Sequence, residues 1–183
     1  MTAIDPIAAW HTEHVYFNQL LSLLRKQLDV FHQGDRPNYE LMQDIVGYLR
    51  DYSDQYHHPR EDVAFERLAR RCPDMELVLA RLHQEHRVIA HTGEVLLRMI
   101  EAILEDAIVP REQLESALAT YLVYYGNHLA KEEEDVLPLA AKELGPLDWQ
   151  AVKDAAPSGR DPVFGERSSE RYRELRRQIA LES

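Results

Sequence analysis

The chain has 183 residues, of which 45% are hydrophobic and 29% charged, and its formal net charge is −11 at pH 7. This length and composition are typical of one folded domain with a hydrophobic core. The acidic charge argues against nucleic-acid binding, which usually requires a basic face. The absence of a lysine and arginine cluster argues against binding to an anionic membrane surface.

The N-terminal segment and the single cysteine favour a cytoplasmic protein. MTAIDPIAAW lacks the basic region and the long apolar run of a signal peptide. No apolar stretch approaches the roughly 18 residues that a transmembrane helix requires. Cys72 is the only cysteine, which excludes an intrachain disulfide and a cysteine-based zinc site. We therefore expect a cytoplasmic location and no membrane partner.

Apolar side chains recur at helical spacing in four long segments of the chain. The first helix is predicted to begin at Pro6 and end near HQGDRPN, and the second to run from Tyr39 to Arg71. The third follows CPD and ends at DAIVPREQ, and the fourth begins at Pro110 and ends at KELGP. Four helices with short connections predict an all-α, up-down-up-down four-helix bundle over residues 1–147.

Residues 148–183 differ in character from the predicted bundle. DAAPSGRDPVFGERSS is rich in turn-forming residues, and SERYRELRRQIALE predicts one short charged helix. We expect a C-terminal extension that packs on the bundle or mediates oligomerisation, with a homodimer as one possible assembly.

The sequence also contains an internal repeat. WHTEHVYF in the first helix is similar to LHQEHRVI in the third, and HHPREDVAF in the second helix is similar to HLAKEEEDV in the fourth. The two halves of the bundle are therefore predicted to be two copies of one helical hairpin. The histidines and glutamates that match are His11 with His83, His14 with His86, His57 with His128, and Glu61 with Glu132.

The matching residues suggest a metal site in the bundle core. His14 and His86 lie at the centre of apolar faces, and each His-x-x-x-Glu pair places its two side chains on one helix face. Alone, such a histidine is usually a hydrogen-bonded core residue and such a pair is usually solvated. Together, four imidazoles and two carboxylates in a core are costly without partners. Two divalent metal ions would supply those partners, and nitrogen and oxygen ligands without thiolate suit iron or manganese.

With these motifs the chain resembles the hemerythrin-like proteins of the HHE cation-binding family. The resemblance rests on EH at 13–14, HHPRED at 57–62, EH at 85–86 and HLAKEE at 128–133, and it covers about residues 4–145. It implies a non-haem di-iron centre bridged by two carboxylates and an oxo or hydroxo group, with manganese or zinc as possible substitutes. The metal ligands that it implies are His14, His57, Glu61, His86, His128 and Glu132.

The oxygen carriers of this family use five histidines, with a His-x-x-x-His pair on the third helix, and this chain departs from that pattern. Three other histidines are candidates for an additional ligand or for a position behind the ligands: His83, His11 and His58. His58 follows the implied ligand His57 by one residue, so on an α-helix it points about 100° away, to a position behind the ligands or at the rim of the site. Four histidines, two bridging carboxylates and one oxo bridge leave an open position on each iron. A fifth histidine such as His83 would close one of them.

Several other side chains lie near the implied ligands in the sequence. Glu13 and Glu85 precede two ligand histidines and could orient ligands, relay protons or simply be solvated. Five tyrosines are expected to pack in the core with one hydrogen bond each, or alternatively to act as a ligand or a gate: Tyr16, Tyr52, Tyr56, Tyr124 and Tyr125. Pro59 is expected to bend the second helix near the metal.

These features together predict a di-iron protein that binds or senses a small ligand such as dioxygen or nitric oxide. The alternative is a di-iron oxidoreductase or a stress-repair factor that acts on peroxide, nitric oxide or damaged iron centres. A ferritin-like ferroxidase fits less well, because that pattern is richer in carboxylates with Glu-x-x-His pairs. The remaining interpretation is a helical bundle that binds no metal and serves only in protein–protein interaction.

Overall fold

The computed structural model describes residues 6–156, 161–165 and 170–182. These residues contain no strand, and none of their helices is both long and apolar enough to cross a membrane. The α-helices are α1 (Pro6–His32), α2 (Tyr39–Tyr48), α3 (His58–Arg71), α4 (Glu76–Leu104), α5 (Arg111–Lys131), α6 (Leu137–Glu143), α7 (Pro146–Asp154) and α8 (Arg173–Glu182).

Four long helical rods form the bundle. This architecture confirms the predicted all-α class. The first rod is α1 and the third is α4. The second joins α2 to α3 through a π-helical segment, Leu49–His57, and the fourth joins α5 to α6 through a shorter one, Glu132–Val136. The second predicted helix is therefore a continuous rod, but it is not α-helical throughout.

A proline accounts for the position of each π-helical segment. Pro59 and Pro138 each lie two residues after such a segment ends. A proline ring clashes with the preceding helical turn and donates no backbone hydrogen bond. The wider turn accommodates it, and the N–H of His58 bonds the carbonyl of Ser53, five residues earlier. Local π-helical geometry within an α-helical rod is frequent at functional sites.

The apolar core is divided into two clusters, and a polar layer lies between them. The larger cluster contains Phe17, Tyr52, Ile89 and Tyr125. The smaller one contains Trp10, Ala64, Leu82 and Val136. Along each rod, the buried histidines and glutamates lie between a member of one cluster and a member of the other. The polar layer is thus closed to water by apolar side chains above and below.

The described part of residues 148–183 packs on the bundle. Asp148 of α7 accepts hydrogen bonds from Arg67 and Arg71 of α3. Phe164 stacks on Tyr16 with ring centroids 3.9 Å apart. Buried Val163, Tyr172 and Leu175 belong to the larger apolar cluster. Residues on both sides of position 147 share one core. The division of the chain at residue 147 therefore remains a proposal.

Leu175 provides a test of this packing. Its side chain is 0% exposed, whereas Leu181, in the same helix, is 71% exposed. We expect Leu175→Ala to lower the free energy of unfolding by about 2–5 kcal/mol, because it leaves a cavity in the core. Leu181→Ala is expected to change it by no more than about 0.5 kcal/mol. Urea denaturation of both variants measures the difference, and equal values would show that α8 is not part of the core.

Candidate metal centre

Six buried polar side chains converge between the four rods, and they are the six that the family resemblance implies. His14 comes from α1, His86 from α4 and His128 from α5. His57 and Glu61 lie where the first π-helical segment meets α3, and Glu132 opens the second π-helical segment. None of the six is more than 5% exposed.

The four histidines form two pairs. In the first pair, the Nε2 atoms of His14 and His57 lie 2.9 Å apart, and Glu61 Oε1 lies 3.3 Å from the one and 3.0 Å from the other. In the second pair, His86 Nε2 and His128 Nε2 lie 3.5 Å and 3.0 Å from Glu132 Oε1. All four rings therefore turn Nε2 toward the centre of the bundle.

Each of the two glutamates faces both histidine pairs. Glu61 turns Oε1 to the first pair, while its Oε2 lies 3.5 Å from His86 Nε2. Glu132 turns Oε1 to the second pair, while its Oε2 lies 3.7 Å from His14 Nε2. Each of these two carboxylates therefore spans the gap between the two histidine pairs.

A separate carboxylate accepts a hydrogen bond from Nδ1 of each of the four histidines. The partners are Glu133 for His14 at 2.7 Å, Glu13 for His57 at 2.5 Å, Asp62 for His86 at 2.7 Å and Glu85 for His128 at 3.2 Å. Carboxylate–histidine pairs of this kind fix the ring and its tautomer at metal sites.

These four carboxylates follow the internal repeat. Glu13 and Glu85 each bond a histidine of their own hairpin, whereas Asp62 and Glu133 each bond a histidine of the other hairpin. Sequence reasoning singled out the first two and missed the other two. The signal was present, because an acidic residue follows Glu61 and Glu132 in both copies.

The donor atoms of this site fit a cation. With Nδ1–H given to a carboxylate, each Nε2 presents a lone pair to the centre. The carboxylates of Glu61 and Glu132 add only further acceptors. Among the described residues, the buried atoms without a hydrogen-bond partner include Glu61 Oε2, His86 Nε2, His128 Nε2 and both oxygens of Glu132. Buried acceptors that face one another without donors are costly, and divalent cations between them would satisfy them.

The pKa values of His14 and His86 also show that the site attracts positive charge. Burial alone lowers the pKa of His14, but the carboxylates of Glu133, Glu61 and Glu132 outweigh it and raise the pKa to about 10. The pKa of His86 is likewise well above its ordinary value, because neighbouring carboxylates outweigh burial. His14 and His86 therefore hold protons that an isolated imidazole would lose at neutral pH.

His58 lies inside the protein, beside the second pair. It is 3% exposed, and its ring stacks on His86 with centroids 4.1 Å apart. Its potential ligand atom groups with those of Glu61, His86 and His128 within 4.8 Å. Burial holds the pKa of His58 well below its ordinary value, so the ring is neutral. Its Nδ1 lies 3.2 Å from Asp54 and its Nε2 lies 3.1 Å from Ser53 Oγ.

His11 and His83 lie further out, at equivalent positions of the repeat. His11 Nδ1 is 2.9 Å from Glu133, and His83 Nδ1 is 2.8 Å from Asp62. Each therefore contacts the carboxylate that holds a histidine of the centre. Their side chains are 62% and 37% exposed, which places them at the protein surface.

Two of the five tyrosines contact groups that hold the histidines. Tyr52 donates its hydroxyl to Glu13 at 2.8 Å, and Tyr125 donates to Ser53 at 2.6 Å. Tyr16 stacks on the C-terminal extension, and Tyr124 is exposed. Tyr56 packs against Tyr52 with ring centroids 5.8 Å apart.

Comparison with known proteins identifies one family. The model of the hemerythrin HHE cation binding domain matches residues 5–140, which include all six converging side chains and the four carboxylates behind them. No curated protein and no solved structure matches the chain.

Glu133 and its neighbour Glu134 test the role of the carboxylates behind the histidines. Glu133 holds His14, whereas Glu134 is exposed. We expect Glu133→Gln to weaken metal binding by about 10–100-fold, because an amide orients the imidazole less strongly. Glu134→Gln should bind metal like the wild type. Anaerobic titration with Fe(II) against a competing chelator measures both affinities, and an unchanged affinity in Glu133→Gln would contradict the assignment.

The metal-free protein should lose stability as the pH rises. The folded pKa of His14, about 10, lies above its ordinary value of 6.5, so the folded state binds this proton more tightly. The resulting stabilisation is complete below pH 6.5 and is lost as the pH approaches about 10. The Tm of chelator-treated protein should fall across this range, and it should fall less in His14→Gln. His32→Gln, at an exposed histidine, should behave like the wild type, and a flat Tm in the wild type would contradict the shift.

Proposed function

The chain belongs to the hemerythrin HHE cation-binding family, and on that premise we propose that it holds two iron ions and binds or senses a small ligand such as dioxygen or nitric oxide. The observation that carries this proposal is the placement of Glu61 and Glu132. Each turns one oxygen to each of two histidine pairs.

In this proposal each histidine pair would hold one iron. His14 and His57 would hold the first, His86 and His128 would hold the second, and Glu61 and Glu132 would bind both. When bound, a ferrous pair would supply electrons and open coordination positions for a small ligand. The surrounding carboxylates fix the orientation of the histidine rings, and the two apolar clusters exclude bulk water.

The surroundings of the site favour a small ligand over a large substrate. A cavity of about 240 Å³ lies between α3 and α4, with Phe65, Leu79, Asp62 and His83 among its lining residues. The ring of Phe65 stacks on His86, with centroids 5.6 Å apart. Phe65 therefore lines this cavity and also contacts a histidine of the second pair, and a space of this size suits a diatomic gas better than a large substrate.

An oxidoreductase that acts on peroxide or nitric oxide is the second candidate, and one hydrogen-bonded chain favours it. Tyr125 donates to Ser53, and Ser53 contacts His58 beside the second histidine pair. Hydroxyl and imidazole groups linked in this way can exchange protons beside the site. A repair factor for damaged iron centres would use the same groups.

The bridging assignment predicts different iron contents for different variants. Protein loaded with iron and purified in air should contain two irons per chain and show near-ultraviolet oxo-bridge bands. His57→Ala removes a ligand of one iron only and should retain at most one iron. Glu132→Ala removes a ligand of both and should lose both. His32→Ala, at an exposed residue, is the control, and full iron content in Glu132→Ala would overturn the bridging role.

Ligand addition to the reduced, iron-loaded protein separates the two candidate functions. Reversible spectral changes with dioxygen or nitric oxide, without turnover, are expected for a carrier or sensor. Steady consumption of peroxide or nitric oxide by catalytic amounts of protein would instead establish the oxidoreductase. His58→Phe should then slow turnover without lowering the iron content.

A further inference from the structure

The two tryptophans of this chain make consecutive ring contacts between a proposed iron ligand and the protein surface. Trp10 packs edge-on against His57, with ring centroids 6.4 Å apart. Trp149 packs edge-on against Trp10, with centroids 5.5 Å apart. Trp10 is 3% exposed, whereas Trp149 is partly exposed. These ring contacts therefore lead from the candidate metal centre to the protein surface.

Two separate parts of the fold place these rings. Trp10 lies one helical turn before His14 on α1, so it shares the inward face of that histidine. Trp149 lies on α7, which the ion pairs of Asp148 with Arg67 and Arg71 hold against α3. The bundle thus supplies the inner ring and the C-terminal extension supplies the outer one.

We propose that Trp10 and Trp149 conduct electrons, one at a time, between the metal centre and the protein surface. This inference rests on the proposed di-iron function. The rate of electron transfer falls steeply with the gap between electronic systems, and three aromatic rings in contact leave only short gaps. Indole is also among the side chains that lose an electron most readily, which suits it to this task.

The electron balance of the proposed step is simple. A one-electron donor, such as a reduced iron–sulfur protein, would give up one electron at Trp149, and one ferric ion held by the site would become ferrous. A second encounter reduces the other iron. The indoles gain and lose no atoms or protons, and the donor leaves oxidised by one electron in each encounter. Such a step would restore the ferrous pair after its oxidation by dioxygen.

A purely structural role makes a different prediction. Both tryptophans belong to the smaller apolar cluster or pack against it. If packing were their only role, replacing either by phenylalanine would change stability without changing the rate of electron transfer. The two roles therefore separate in variants that fold and bind iron normally.

A surface photosensitiser provides the test. Gln150 is exposed next to Trp149, and a ruthenium polypyridyl label can be attached to Gln150→Cys in a Cys72→Ser background. A flash with an external quencher oxidises the label in the reduced, iron-loaded protein. We expect a transient tryptophan radical that decays as ferric absorption appears. In the metal-free protein the same radical should form and persist.

The variants decide the assignment. Trp10→Phe and Trp149→Phe should slow the appearance of ferric absorption by about tenfold or more, because phenylalanine is much harder to oxidise and each added ~1.4 kcal/mol of barrier is a factor of ten. Tyr52→Phe tests a competing route, since Tyr52 bonds the carboxylate partner of His57. Tyr39→Leu, at an aromatic residue packed on Phe31, is the control away from both routes.

Iron content and Tm, measured first on every labelled variant, separate the possible failures. Unchanged rates in both tryptophan variants, with wild-type iron content, would overturn the electron path alone. A slowed rate only in Tyr52→Phe would assign the path to the tyrosine and overturn this proposal. Protein that binds no iron would overturn the proposed function together with the path.

Discussion

The structure depends on one constraint: six buried side chains turn hydrogen-bond acceptors toward one another between four helices. Without a positive charge between them this arrangement is unfavourable, because buried acceptors lose their hydration and gain no donor. Three further features compensate for or maintain it. Four carboxylates hold the Nδ1 side of the histidines, two apolar clusters exclude water, and protons bind the site in the metal-free protein. The stability of the bundle is therefore coupled to the charge at its centre.

The helices reach this centre through a change in their own geometry. Each His-x-x-x-Glu pair abuts a π-helical segment, but at opposite ends. In the second rod the segment ends at His57, and in the fourth it begins at Glu132. A wide turn changes the rotation of the helix on either side of it, so side chains that would point apart can both face the centre. This explains why His58, directly after His57, is buried although α-helical geometry directs it away.

The sequence was informative where a residue pattern has a single geometric consequence. Helical periodicity predicted the four rods, and the repeat predicted that equivalent residues of both halves would meet. It was less informative where the outcome depends on packing between rods. The bonds of Asp62 and Glu133 across the hairpins, and the outward positions of His11 and His83, follow from how the two hairpins pack together. The π-helical segments also escaped prediction, because a proline marks a distortion without specifying its form.

The differences between the two repeats give the two histidine pairs different surroundings. Each proposed ligand, and each carboxylate behind it, has a residue of the same kind at the equivalent position of the other copy. Two nearby positions differ, because Trp10 corresponds to Leu82 and His58 corresponds to Leu129. The first histidine pair therefore contacts an indole that leads to the surface, and the second contacts a neutral imidazole and its hydroxyl partners. The duplicated hairpin alone would give a symmetric site, and these two differences make its surroundings asymmetric. If the proposed functions hold, electrons would pass on the side of His57, and the small ligand and its protons would be handled on the side of His86.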